Sequence, residues 1–308
     1  MYPDADEVFA PFRDVTELAR VTAGAHVVSA THNKSVALLS DLISRRQNFL
    51  PAYYVQDYEP FFTQADSADV EEAIASYTAV AGMLLFAKTH WLGNVVAERH
   101  GLFVAKVEPS IDRDVYRPPP WPSRSARLRV AAMVRPRTPR RQPFSTVHVL
   151  ERLTEAFPDH VDIRVFGCDD DALQKVAPDS PLIARNRGLL TRDQVADLLR
   201  DTDVFLDMSI YQAFGRTALE AMACGATAVV PAIGGALEFA SDGENALVVD
   251  TTDREAAFGA LAGLVSDRER LAALRVAALE TAEGYSIEKA AISEYATFRE
   301  AYARRFGR

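Results

Sequence analysis

The sequence is poor in cysteine and lysine and contains no long apolar run. Two cysteines, Cys168 and Cys224, in 308 residues exclude the disulfide framework of a small secreted domain. No stretch of about 18 uncharged apolar residues occurs, so no membrane-spanning helix is expected. Basic residues are not in excess. Lys and Arg total 34 against 43 Asp and Glu, a formal net charge of −9 with both signs mixed along the chain. That balance argues against nucleic acid as a partner, although a local basic patch can still hold phosphate. The first residues, Met1-Tyr2-Pro3-Asp4-Ala5-Asp6-Glu7, carry neither a basic segment nor an apolar one, so no signal peptide is expected. The expectation is a cytoplasmic protein, with peripheral contact at the inner membrane face left open. Internal repeats and low-complexity tracts are absent as well.

What is present is apolar content, 48% of 308 residues, enough for about two domains with large cores. Short apolar runs alternate with helical periodicity. In the first half, strands are predicted near Ala25–Ser29, Pro51–Val55, Met83–Ala87 and Phe103–Val107, separated by helices near Lys34–Ser44, Val70–Ala81 and Leu92–His100. Pro118-Pro119-Pro120-Trp121-Pro122 then reads as a stiff linker. In the second half, strands are predicted near Arg129–Met133, Asp162–Phe166, Val204–Asp207, Ala226–Val230 and Ala246–Val249. Continuous apolar strands alternating with helices imply parallel sheets covered on both faces. The expected fold class is therefore α/β, with two doubly wound lobes and a cleft between them, ligands lying at the carboxyl ends of the strands. The expected domains are 1–117, a linker at 118–127, a second lobe at 128–284, and a terminal helix at 285–308. That helix either crosses back to the first lobe or packs on its own.

The densest signal runs from Asp203 to Asp250. A buried strand, Val204 to Leu206, ends at Asp207-Met208-Ser209. A polar loop with Gln212 and Gly215 follows, then a helix through Arg216 to Ala223 that stops at Cys224-Gly225. Another apolar strand leads to Gly234-Gly235 and Glu238. A helix N-terminus offers free N–H groups and a positive dipole end, which attract phosphate.

This segment resembles the donor-binding core of retaining nucleotide-sugar glycosyltransferases of the GT-B fold. Their pattern places two glutamates with seven residues between them, roughly E-G-F-G-x-x-x-x-E-A-M-A-C-G. Here Gln212-Ala213-Phe214-Gly215 precedes Glu220-Ala221-Met222-Ala223-Cys224-Gly225 with the same seven intervening residues. The second glutamate matches, and glutamine replaces the first. Gly234-Gly235-Ala236-Leu237-Glu238 and Asp242-Gly243-Glu244-Asn245-Ala246-Leu247 also fit.

The resemblance implies roles for particular residues. Arg135 and Arg140 follow the strand Val130–Val134 at positions where relatives have Arg and Lys, and they would stabilise a leaving diphosphate; the alternative is a solvated basic loop. Gln212 would hydrogen-bond the transferred sugar without the charge of a glutamate. Glu220 would accept from ribose hydroxyls, or merely complement the helix dipole. Phe214, Gly215, Arg216, Thr217 and Gly188 complete the donor-binding candidates. In the first lobe, Tyr53-Tyr54-Val55-Gln56-Asp57-Tyr58-Glu59-Pro60 resembles a motif of surface-polysaccharide transferases, including rhamnosyl transferases. Gln56, Asp57 and Glu59 are cleft candidates, strand-end capping being the equal alternative. His90 is a further cleft candidate. Asp169-Asp170-Asp171 offers an Asp-x-Asp pattern of the kind that binds a divalent metal in the GT-A class, but it falls in the second lobe, where GT-B relatives have a plain loop. Only five lysines exist, and none has a Schiff-base context, which speaks against pyridoxal phosphate. No cofactor and no metal are expected.

The function implied is transfer of a sugar from a nucleotide-diphosphate donor to a glycan or lipid-linked acceptor, with retention, in surface polysaccharide synthesis. The alternatives are a catalytically weak nucleotide-sugar-binding protein or complex subunit, and a sugar-nucleotide epimerase. The first lobe offers four strands where the family has six or seven, so it is read as starting partway through. Self-association, or cover by a partner chain, is expected on that account.

Overall fold

The computed structural model describes residues 8–45, 48–62, 68–120 and 125–307. Residues Trp121 to Arg124 of the expected linker lie outside them. The chain divides into two compact units, one comprising Met1–Glu108 with Ala291–Arg308, the other Pro109–Ala290.

The first unit holds a four-stranded parallel sheet in the order β1 (Val27–Ala30), β2 (Leu50–Tyr54), β3 (Leu84–Ala87), β4 (Ala105–Lys106). The helices α1 (Val15–Val21), α2 (Asn33–Ser44), α3 (Ala68–Ser76) and α4 (His90–His100) connect or flank these strands. Ala52, Phe86 and Val107 form the buried centre. The last helix of the chain, running Ile287–Phe306, packs its C-terminal part here. Phe298 meets Phe86 edge-on at 5.0 Å, Tyr302 meets His26 at 5.5 Å, and the Ser293 hydroxyl accepts from the Glu108 amide at 3.0 Å.

The second unit holds a five-stranded parallel sheet of β5 (Leu128–Met133), β6 (Val161–Phe166), β7 (Val204–Leu206), β8 (Thr227–Pro231) and β9 (Leu247–Val249). Its spatial order is β6-β5-β7-β8-β9. Its strands read as continuous apolar runs because both faces are buried. Val130, Ala132, Val204, Leu206 and Val229 enter one core cluster, while Ala131, Phe205, Ala228 and Val230 enter the other. Each such Val or Leu contributes roughly 1.5–3 kcal/mol by leaving water. The covering helices are α5 (Pro143–Ala156), α6 (Asp170–Val176), α7 (Arg192–Arg200), α8 (Arg216–Ala223), α9 (Arg254–Ser266) and α10 (Arg268–Glu283); the terminal Ile287–Phe306 helix is α11. Chain order reverses between β5 and β7, so β6 lies on one side of β5 and the later strands on the other. That switch point is where an open α/β sheet leaves a crevice for a ligand.

The opposite end of this sheet is closed by an ion network. Arg129, 4% exposed, donates from Nε at 3.1 Å and Nη2 at 2.8 Å to Asp203, itself 3% exposed. Arg275 Nη1 reaches the same carboxylate at 2.8 Å, and Asp201 takes Arg129 Nη1. No described helix is long and apolar enough to cross a membrane.

Candidate functional site

Two loops leave the switch point, one from β5 and one from β7, and the sequence ties them together. After β5 the chain turns through Arg135 and a short 3-10 turn, Pro139–Arg141, to Gln142. Gln142 sits in the left-handed region at φ 47° before α5. Its side-chain amide donates to Met208 O at 2.8 Å and to Thr251 O at 3.0 Å. The Ile210 amide donates to Arg140 O at 2.8 Å. The guanidinium of Arg140 lies 5.3 Å from the Tyr211 ring centroid. Arg141 Nη1 stands 3.4 Å from the Ser209 hydroxyl and 3.8 Å from Asp207 Oδ2. Arg135 and Arg137 are exposed on the same loop. Arginines are thereby gathered at the carboxyl end of the central strand, where a phosphate would be met by guanidinium donors.

The β7 loop turns back on itself. Asp207 Oδ1 accepts from the Ser209 amide at 3.0 Å and hydroxyl at 2.5 Å. Asp207 Oδ2 accepts from Gln212 Nε2 at 2.5 Å, and the same nitrogen lies 3.1 Å from Ser209 Oγ. Gln212 is 4% exposed and Asp207 8%. The backbone of Gln212 is clamped from the other side by the loop after β8. It forms a parallel bridge with Gly234, and the Gly235 amide donates to Gln212 O at 2.6 Å. Gly234 has φ 114°, and a Cβ there would fall 2.2 Å from Gln212 O.

Gly215, at φ 89°, then starts α8 with no side-chain cap, and no acidic residue occupies the first turn. The first amides of α8 and its positive dipole end are left for a ligand. Arg216 is exposed, Thr217 is half-buried, and the Phe214 ring packs edge-on against Phe239 at 5.5 Å. On the next turn Glu220 is 8% exposed. Burial pushes its carboxyl up to about 7, with Arg216, Arg192 and the hydroxyl of Tyr116 opposing the rise. Arg192 also pairs with Asp112 and lies 5.9 Å from the Tyr116 ring centroid.

A carboxyl raised from its unfolded value stabilises the fold below that value, and this contribution is lost as pH rises through the folded one. Stability supplied by Glu220 should therefore be present below about pH 4.5 and disappear by about pH 7. Glu220→Gln, which is neutral throughout, should unfold at a higher temperature than the unmodified chain at pH 8 and at a similar temperature at pH 4.5. A constant difference across that range in calorimetric scans would contradict the assignment.

The remaining sequence candidates fall as follows. Gly188 is at φ 72° beyond β6, where its carbonyl accepts from the Gly167 amide at 2.8 Å. Gln56, Asp57, Glu59 and His90 all lie in the first unit. Gln56 is exposed, its amide donating to Thr31 O at 2.8 Å. Asp57 accepts from the Tyr58 amide at 2.9 Å. Glu59 is turned inward. One of its oxygens accepts from the Asn33 amide at 2.7 Å and the Tyr53 hydroxyl at 2.6 Å, so it caps α2 and anchors β2. His90 is exposed at the first position of α4. Asp169 caps α6 by accepting from the Ala172 amide at 2.7 Å, and Asp170 accepts from Asn186 at 2.7 Å. Sequence reasoning missed Asp207, Ser209, Arg141, Tyr116 and Arg192 as members of the site. A carboxylate and a hydroxyl two residues apart, directly after a buried strand, were the available signal for the first two.

The second unit is thus a doubly wound parallel domain with arginines, an uncapped helix start and a buried carboxylate at its switch point. Residues 144–281, which lie within the second unit, match the family described as Glycosyl transferases group 1. D-inositol 3-phosphate glycosyltransferase of Rhodococcus opacus is 37% identical over 123 residues, covering 39% of this chain and 28% of that protein. The O-antigen biosynthesis protein RfbC of Myxococcus xanthus is 29% identical over 203 residues, covering 66% of this chain and 15% of that protein. The chain thus spans well under two thirds of the length of these relatives. Among solved structures, sucrose-phosphate synthase of Thermosynechococcus elongatus superposes with a TM-score of 0.78 at 15% identity, covering 94% of this chain and 77% of that one. Anabaena HepE, solved with UDP and glucose, gives 0.78 at 17% identity, covering 93% of this chain and 81% of that one. These likenesses show the fold, two Rossmann-like parallel-sheet units as in GT-B glycosyltransferases.

Proposed function

We propose that this chain is a glycosyltransferase that takes a sugar from a nucleotide-diphosphate donor held by the second unit. The observation that carries the reading is the convergence at one switch point of Arg135, Arg140 and Arg141, the uncapped start of α8, and the buried Glu220. The arginines and helix amides stabilise the leaving diphosphate, Glu220 accepts from the ribose hydroxyls, and Gln212 meets the transferred sugar. Transfer with retention follows if the acceptor hydroxyl attacks the face the diphosphate leaves, a phosphate oxygen taking its proton. Catalysis then comes from positioning and charge stabilisation. The resemblance of the Gln56-Asp57 stretch to surface-polysaccharide transferases, and the name of the Myxococcus relative, support a polysaccharide acceptor.

The test is release of free sugar from UDP-, GDP- and dTDP-linked hexoses and deoxyhexoses, run with and without EDTA. Hydrolysis of one donor class, unaffected by the chelator, is the expected result. Loss of turnover in EDTA with rescue by Mn²⁺ would overturn the metal-independent mechanism, and inertness towards every donor would favour a binding protein that lacks turnover.

A further inference from the structure

We propose that Asp207 is a positioning residue that locks the amide of Gln212 in one orientation, so that Oε1 rather than Nε2 faces a hydroxyl of the donor sugar. The inference rests on the donor-binding reading above and adds a residue to it. An ionised carboxylate only accepts hydrogen bonds, so the nitrogen of the Gln212 amide must face Asp207. The 2.5 Å contact from Gln212 Nε2 to Asp207 Oδ2 has that arrangement. The second oxygen of Asp207 is held by the amide and hydroxyl of Ser209, which keeps the carboxylate from rotating away. Ser209 Oγ lies 3.1 Å from the same Gln212 nitrogen and reinforces the choice. The Gln212 backbone is pinned at Gly234 and Gly235, so its side chain leaves from a fixed point. No described residue donates to Oε1. A neutral side chain thus presents a single fixed acceptor, as one oxygen of a glutamate would, and the negative charge sits one residue behind it.

This pairing makes an unintuitive demand. Gln212→Glu, which restores the glutamate pattern, sets two carboxyls 2.5 Å apart in a buried place, and once both are ionised their repulsion drives the new side chain off its station. Asp207→Asn must use its oxygen on Ser209, so its nitrogen faces residue 212 and turns the Gln212 amide over, offering a donor to the sugar. The double variant Asp207→Asn with Gln212→Glu restores a nitrogen facing an oxygen and again leaves an acceptor outward.

The experiment uses the full chain and its two single variants, the double variant and Ser209→Ala. Calorimetry measures affinity for UDP, GDP and dTDP and for the glucose ester of whichever nucleotide binds, with unfolding temperature recorded alongside. Nucleotide affinity is the reference for each variant, because Asp207 and Ser209 also face Arg141 at 3.8 Å and 3.4 Å. The ratio of sugar-nucleotide to nucleotide affinity should fall about fivefold in each single variant and return in the double, with a smaller fall in Ser209→Ala. If unfolding temperatures show the coupling while the ratio is the same in every protein, Asp207 is only structural and the proposal is overturned. If the single variants do not fold, the double variant still decides. Folding with the ratio of the unmodified chain supports the pairing, and folding with a reduced ratio refutes it. If the unmodified chain holds none of the three nucleotides, the functional reading itself fails, which is a separate result.

Discussion

Gly234→Ala should destabilise the second unit by about 3 kcal/mol or more and displace Gln212. Two independent physical facts point the same way. Gly234 has φ 114° and ψ −168°, a region essentially reserved for glycine, which alone costs about 1–3 kcal/mol for any other residue. A Cβ would also stand 2.2 Å from Gln212 O and 2.7 Å from Gln212 N. Those are backbone atoms, and they cannot rotate aside as a side chain would. Relief requires breaking the bridge between Gln212 and Gly234, and with it the bond from the Gly235 amide. Gln212 then loses its register against Asp207. Gly243→Ala supplies the comparison. Its φ is 72° and nothing lies within 4 Å of the added carbon, so it should lose only about 1–2 kcal/mol. Urea unfolding of the two variants side by side checks the claim, and equal midpoints would refute it.

The second large effect is expected at the far end of the same sheet. Asp203→Ala should cost about 3–5 kcal/mol, because it leaves Arg129 buried with its chief partner gone. Arg275 loses the same carboxylate. Burial alone would push the Asp203 carboxyl up, but hydrogen bonds from Arg129 and the charge of Arg275 overcome this and hold it below the usual carboxylate range. The sign follows. A depressed folded value means stability is fully present above the unfolded value near 3.8 and is lost as pH falls through the folded one. The gap between the unmodified chain and Asp203→Ala should therefore be wide at pH 7 and close below about pH 3.8. Thermal scans from pH 7 to pH 3 measure it, and a gap independent of pH would contradict the ion-network account. This variant lies at the opposite end of the sheet from the proposed donor site, so its folded fraction should bind nucleotide as the unmodified chain does.

These residues also show what the sequence made legible. The strands were readable because a sheet buried on both faces needs apolar residues in succession, as at Val204-Phe205-Leu206 and Thr227-Ala228-Val229-Val230, and predicted and observed limits agree within about two residues at most ends. Gln212, Gly215 and Glu220 stood out in the sequence because one short loop and the helix it opens bring them close along the chain. The surroundings of those residues were not readable. The partners of Glu220, Tyr116 and Arg192, come from elements far off in the chain, and only packing makes them neighbours. Glu59 looked like a ligand residue beside Gln56 and Asp57, yet its carboxylate serves Asn33 and Tyr53, a use that depends on where α2 begins. Asp207 stood in plain view at the end of a strand, but its meaning depends on which atom of Gln212 it faces. Arg129 and Asp203 are far apart in the sequence, and burial in three dimensions turns them into a lock.

Calorimetric titration of nucleoside diphosphate into the unmodified chain, Arg135→Ala and Arg140→Ala tests whether the donor diphosphate binds at the β5–β7 switch point. Each charge-assisted contact to a diphosphate is worth about 1.5–3 kcal/mol, so each variant should bind at least about tenfold more weakly. Unchanged affinity in both variants would contradict the placement of the donor diphosphate at the β5–β7 switch point.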